Sequence, residues 1–100
     1  MKLYYVYILK CSDQTYYTGF TSNLDKRLQE HMTGKHPDSY TYNKRPITLE
    51  FYATFSNVEI AISTEKQIKN WSRAKKEALI NGDYEALPNL AKKQFKKNKV

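Results

Sequence analysis

The first apolar run of the chain, "KLYYVYILK" at residues 2–10, keeps aromatic and β-branched residues at both parities. A run apolar on both faces predicts a central strand. "CSDQT" is a short polar turn, and "YYTGFT" at residues 16–21 alternates, so the two runs read as a hairpin. Gly19 inside the second run weakens a strand and marks a bulge or a close backbone approach.

The period then lengthens. "SNLDKRLQEHMTGK" at 22–35 predicts a helix, with Leu24, Leu28 and Met32 as its core stripe and Ser22 as N-cap. Asp25 completes a capping-box-like start, and Gly34 supplies the stop. Arg27 and His31, four apart, share one face beside that stripe. "KHPDSYTYNKRP" is a loop carrying cations and two tyrosines, and "ITLEFYATF" at 47–55 is a third strand. "NVEIAISTEKQIKNW" at 57–71 predicts a second helix capped by Asn57. "SRAKKEALINGD" at 72–83 predicts a third, capped by Ser72 and ended by Gly82. The expected fold is α+β, a small three-stranded antiparallel sheet flanked by helices in the order β-β-α-β-α-α. It occupies residues 1–83, followed over 84–100 by a short helical segment and a lysine-rich tail.

One position breaks the pattern. At about 100° per residue, Val58, Ala61, Ile62 and Ile68 form one apolar stripe, and Glu65 falls in the middle of it. A buried carboxylate needs a partner, because desolvating its charge is costly. Two readings stand: an i,i+4 ion pair with Lys69, or a carboxylate facing a cleft where it holds a divalent metal. Hard oxygen donors suit magnesium, which often takes one or two carboxylates and keeps several waters. The tyrosines pose a related choice. Strand residues two apart share a face, so Tyr7 lies with Tyr5, and Tyr17 with Gly19. Tyr7 and Tyr17 then point into one cleft from neighbouring strands, or pack a core with their hydroxyls at its rim.

Charge narrows the partner. The 100 residues carry a formal net charge of +7 and a pI near 9.5, which points to a polyanion, nucleic acid first and anionic membrane second. The length allows one domain, which buries roughly two-thirds of its unfolded surface. The single Cys11 excludes an internal disulfide, and no Cys/His spacing suggests structural zinc. No apolar run approaches about 18 residues and no signal-peptide pattern opens the chain, so a soluble cytoplasmic protein without membrane contact is expected. "YTYNKRP" interleaves aromatics with Lys44 and Arg45, which suits contact with unpaired bases and backbone, or is a solvated loop. Lys69, Arg73, Lys75 and Lys76 form a basic edge next to Glu65, and Lys92, Lys93, Lys96, Lys97 and Lys99 would add salt-sensitive affinity. Trp71 reads as packing at a helix junction. No set of residues reads as a base-specific code, so structure or ends would guide any cleavage.

"VYI" at 6–8 followed by "YTGFT" at 17–21 resembles the paired motifs that name the GIY-YIG nuclease superfamily. Tyr7 matches the tyrosine that ends the first motif, and Tyr17 and Gly19 match the second. Val6 stands in place of the glycine-isoleucine lead, and Thr18 in place of the central isoleucine. "LDKRLQEH" resembles the family's first helix, with Arg27 as its arginine and His31 at a position held by histidine or tyrosine. "TEKQIKNWSRAKKEALI" is similar to the small stand-alone bacterial subfamily related to the N-terminal nuclease domain of the UvrC repair protein, with Glu65 as the metal-binding glutamate. Asn70 and Asn81 are candidates for the polar support that many members carry beyond the glutamate. The resemblance spans about residues 3–81. It implies an endonuclease-type phosphodiester hydrolase using one Mg2+ or Mn2+ ion, acting on DNA more readily than RNA, with a role in DNA repair. The module is often attached to a targeting domain, so a targeting partner is expected. In this scheme Glu65 holds the metal and Arg27 clamps phosphate; Tyr7 is the favoured base and Tyr17 the positioner, two roles the sequence does not separate; and His31 orients a water or moves a proton, or is a partly exposed helix histidine. Two other classes compete: a non-catalytic nucleic-acid-binding module retaining the fold, and a protein-interaction domain.

Overall fold

The computed structural model describes residues 2–87. Its strands are β1 (Tyr4–Lys10), β2 (Tyr16–Thr21) and β3 (Thr48–Phe55), and its helices α1 (Leu24–Thr33), α2 (Val58–Lys69) and α3 (Arg73–Ile80). Single 3-10 turns occur at Tyr42–Lys44 and Tyr84–Ala86. The strands form one antiparallel sheet in the order β2-β1-β3. The expected α+β class and element order are the observed ones.

The two-faced apolar pattern of β1 has its cause in this order. As the central strand it is covered on both sides, and Val6, Tyr7, Ile8 and Leu9 are at most 1% exposed. Val6 and Ile8 pack with Ala53, Phe55, Ala61, Ile68, Leu79 and Leu87. Tyr7, Leu9 and Cys11 pack with Ile47, and Tyr17, Leu24, Leu28 and Leu49 close over them. The sheet therefore separates two small cores, one under α2 and α3 and one under α1. Trp71 packs against the first core, at the junction of α2 and α3. Leu87, beyond the boundary expected at residue 83, is buried in that core as well.

Several local expectations are corrected. The cap of α1 is Asn23, not Ser22: its extended backbone lets its side chain accept the Lys26 N–H at 3.1 Å. Gly34 ends the helix in the left-handed conformation, as its position suggested. Met32 is not core; it is 52% exposed, while His31 beside it is 3% exposed. The buried positions of α2 are Ala61, Thr64 and Ile68, whereas Val58 and Ile62 are exposed. The inward face is thus rotated by about one residue from the apolar stripe. Thr64 tolerates burial because its hydroxyl donates to the Ile60 carbonyl at 2.7 Å. Among the described residues no helix is long and apolar enough to cross a membrane. The tail lysines, Lys92, Lys93, Lys96, Lys97 and Lys99, lie outside the described residues.

Candidate active site

Pairing in the hairpin sets Tyr7 directly across from Gly19 and Leu9 across from Tyr17. Tyr7 and Tyr17 thus share a face, with ring centroids 6.4 Å apart. The Tyr7 side chain lies across Gly19, where a Cβ would sit 2.3 Å from the phenol oxygen and 2.4 Å from Cζ. The glycine is required by the space Tyr7 fills, not by its own backbone angles.

Helix α1 delivers Arg27 and, one turn later, His31 to the same face. The Tyr7 hydroxyl lies 2.9 Å from His31 Nε2, and His31 Nδ1 lies 2.8 Å from the Thr41 hydroxyl. Thr41 is buried and is held in turn by Ser39, 3.2 Å away. Burial, with the Arg27 cation adding to it, pushes the His31 pKa down to about 4. The ring is therefore neutral at pH 7 and carries one N–H. A phenol is a stronger acid than an alcohol, so we assign that proton to Nδ1, donating to Thr41, with Nε2 accepting from Tyr7. The Tyr7 phenol itself is pushed up to about 12, mainly by burial and next by the neighbouring Tyr17, with Arg27 pulling the other way. The resting pair is thus a protonated phenol bonded to a neutral imidazole.

Tyr17 closes the other side. Its ring meets His31 edge-on at 5.3 Å and stacks on Tyr40 at 5.8 Å, with 23° between planes. An open cleft runs from here, lined by Tyr17, Arg27, His36, Asp38, Ser39 and Tyr40. Arg27 is held at its mouth by Glu30, 3.0 Å away, and keeps 28% of its side chain exposed. Lys35 and His36 share the same Glu30.

Glu65 forms the first of its two expected arrangements, the ion pair. Its carboxylate, 12% exposed, pairs with the Lys69 ammonium at 2.7 Å. Its charge also acts on the Tyr7 phenol, and Lys69 is within electrostatic reach of Tyr17. Among the described residues no three His, Cys, Asp or Glu side chains cluster as a metal cage. One carboxylate still fits a magnesium-like ion whose other ligands are waters and a substrate phosphate. Lys69, half exposed, has room to withdraw from the carboxylate.

The remaining basic candidates are tied into local structure. Lys44 bonds Asp13 at 2.6 Å and lies over the Tyr40 ring. Arg45 stacks on Tyr42 and donates to its carbonyl, with its guanidinium beside Gly34 at the end of α1. Arg73 bonds the Gln14 carbonyl, covers the Tyr16 ring and pairs with Glu77. Lys75 is exposed on the first turn of α3, and Lys76, partly buried, is within electrostatic reach of Tyr40. Asn70 and Asn81 cap α2 and α3. Thr41, Ser39 and the Tyr17–Tyr40 stack escaped sequence reasoning, because a loop residue's contact with a helix ten positions earlier leaves no periodic trace.

The buried neutral imidazole has a pH consequence. Between about 6.5 and about 4 the unfolded chain binds a proton at residue 31 that the folded chain does not. Stability then rises with pH across that window and falls on acidification, by an amount on the order of 2–3 kcal/mol from this group. Denaturant titrations from pH 4 to 7 should show this slope, and His31→Gln should flatten it. An unchanged slope in the variant would assign it to other groups.

A sequence model described as the GIY-YIG catalytic domain matches residues 3–78. A UPF0213 protein of Syntrophus aciditrophicus is 46% identical over 83 residues, covering 83% of this chain and 95% of the relative. A second UPF0213 protein, NP_0776A of Natronomonas pharaonis, is 42% identical, covering 77% and 89%. The solution structure of UPF0213 protein BH0048 from Bacillus halodurans superposes with a TM-score of 0.53 at 39% identity, over 79% of this chain and 83% of that one. The solution structure of EF2693 from E. faecalis gives 0.59 at 27% identity, over 88% and 93%.

Proposed function

This chain belongs to the GIY-YIG catalytic domain family, a family of nucleases, and on that footing we propose that it hydrolyses phosphodiester bonds of nucleic acid, DNA first, with one divalent metal ion, Mg2+ or Mn2+. The observation that carries the reading is the Tyr7 hydroxyl. It is held across Gly19 and bonded to a buried neutral imidazole at 2.9 Å, with Arg27 and Glu65 both acting on it. A structural tyrosine needs none of these charged neighbours.

In this scheme Arg27 binds the scissile phosphate with its forked donors and opposes the charge that builds on the phosphoryl oxygens. The Tyr7 oxygen accepts a proton from the attacking water while its own proton moves to His31 Nε2. The hydroxide so formed attacks phosphorus, and the leaving oxygen departs with a proton from solvent. Burial is the main cause of His31's neutrality, but the incoming phosphate offsets the Arg27 charge that adds to it, so the imidazole becomes a somewhat better proton acceptor when substrate is present. Tyr17 packs on His31 and fixes its ring. Glu65 would hold the metal, which when bound adds the positive charge that phosphoryl transfer requires. Lys69, Lys75, Lys76 and Arg73 lie along the edge that would track the backbone, and a targeting partner and a place in DNA repair belong to the same reading.

The direct test is Tyr7→Phe. The rate should fall about 10²- to 10⁴-fold, the range for loss of a positioned proton acceptor, with nucleic-acid affinity nearly unchanged. A collapse of affinity with an unchanged rate for bound substrate would remove Tyr7 from the proton path.

A further inference from the structure

Tyr40 has no part in the proton path described above, yet it forms a wall of the same cleft as Arg27. It is a large aromatic side chain left 51% exposed in a positively charged protein. Its ring is fixed at three points. It stacks on Tyr17, its hydroxyl lies 3.4 Å from the Thr15 hydroxyl, and the Lys44 ammonium sits 3.3 Å from that hydroxyl and 4.4 Å from the ring centroid. Lys44 is itself anchored by Asp13 at 2.6 Å. An exposed ring ordinarily costs little to leave mobile, so this much anchoring orders it before anything binds. A pre-ordered ring saves the ordering cost that a ligand would otherwise meet.

The chemistry of the surroundings defines that ligand. Arg27, at the mouth of the cleft, suits a phosphate. The Lys44 ammonium over the Tyr40 ring and Arg27 in the same cleft put cations beside the aromatic pair. A flat aromatic surface beside a phosphate clamp and a basic edge is what single-stranded nucleic acid engages, because every base has a π-face to offer. We propose that the Tyr40 ring is the stacking platform for the nucleobase adjoining the phosphate that Arg27 binds, so that this nucleotide is taken unpaired. A base inside an intact duplex has both faces covered by its neighbours and cannot use the platform without leaving the stack. This deepens the nuclease reading, on which it rests for the identity of the phosphate at Arg27, and it defines the substrate as an unpaired segment or an extruded base.

The experiment is binding in EDTA, so that no cleavage intervenes. A single-stranded oligonucleotide carrying 2-aminopurine and the fully paired duplex of the same sequence are titrated into wild type, Tyr40→Ala and Tyr40→Trp, each checked for folding by circular dichroism. Tyr40→Ala should weaken single-strand binding by about 5- to 150-fold and leave duplex binding nearly unchanged. Tyr40→Trp should bind the single strand at least as tightly as wild type, with its added indole emission quenched. Equal losses for both nucleic acids in Tyr40→Ala, or no loss for either, would overturn the proposal. Should Tyr40→Ala fail to fold, Tyr40→Trp decides: quenching by single strand and not by duplex supports the platform, and unchanged emission overturns it. Binding that depends on Tyr40 without cleavage by wild type in magnesium would support the platform and remove the nuclease reading. Cleavage with binding indifferent to Tyr40 would do the reverse.

Discussion

Glu65→Gln should abolish cleavage while leaving the protein folded and nearly as stable as before. The carboxylate does little for the fold and would do much for the reaction. Its partner Lys69 keeps 51% of its side chain in water. An ion pair with one end so exposed contributes about 0–1 kcal/mol, and glutamine keeps the shape and a hydrogen-bond acceptor. The melting temperature should therefore fall by no more than about 4–8 °C, the equivalent of about 1 kcal/mol in a domain of this size. Glu65 is the one carboxylate assigned to the metal, and glutamine is a poor ligand for a hard divalent ion. Turnover should drop by at least about 10³-fold, comparable to losing a principal source of transition-state charge stabilisation. Thermal denaturation and single-turnover cleavage, run on the same preparations, separate the two effects. A large loss of stability with a modest loss of rate would make Glu65 a structural partner of Lys69.

Gly19→Ala should damage both stability and rate. The added methyl group would meet the Tyr7 oxygen at 2.3 Å, far inside contact distance, and the neighbouring Cζ at 2.4 Å. β2 is hydrogen-bonded to the central strand and cannot move away alone, so the Tyr7 ring has to shift. That breaks its bond to His31 Nε2 inside a buried site. Overpacking costs about 1–3 kcal/mol, and a buried hydrogen-bonding group left unpaired about 1–3 kcal/mol more. A loss of about 2–6 kcal/mol is expected, with the rate falling at least as far as in Tyr7→Phe. The origin can be isolated with a second change. Tyr7→Leu in the Gly19→Ala background removes the ring that clashes, so the two substitutions should be strongly non-additive in stability while activity stays absent. Additive losses would mean that the glycine serves the backbone and not the tyrosine.

The fold was legible because its main elements obey simple periods. A strand apolar on both faces had to be central, and β1 is. The turn glycine of α1 and the asparagine and serine caps of α2 and α3 worked as the sequence indicated. The failures occur where chemistry competes with packing. Met32 fits the apolar spacing of α1, but His31 takes the inward position because Tyr7 and Thr41 satisfy both its nitrogens there. The apolar spacing of α2 placed Val58 and Ile62 inside, but the small Ala61 and the self-satisfied Thr64 lie against the sheet. Glu65 stood out because a carboxylate beside a buried face has no packing explanation, and the same logic would have flagged His31 had its burial been readable. The loop of Tyr40 stood out for its aromatics and cations, but Thr41 and the stacking of Tyr40 on Tyr17 could not be found this way. Both residues sit in an irregular loop, where position in sequence says nothing about position in space, and their roles depend on what α1 and β2 present to them.

The central claim is that Tyr7, Tyr17, Arg27, His31 and Glu65 form a metal-dependent phosphodiester-cleaving site. The most direct measurement is cleavage of end-labelled single-stranded, duplex, flapped and branched DNA, and of RNA, by wild type and Glu65→Ala, each with magnesium, manganese or EDTA. The account predicts cleavage of substrates with unpaired segments in the presence of a divalent ion, none in EDTA, and none by the variant. Cleavage that survives in EDTA or in Glu65→Ala, or no cleavage by a folded wild type that binds these substrates, would contradict it.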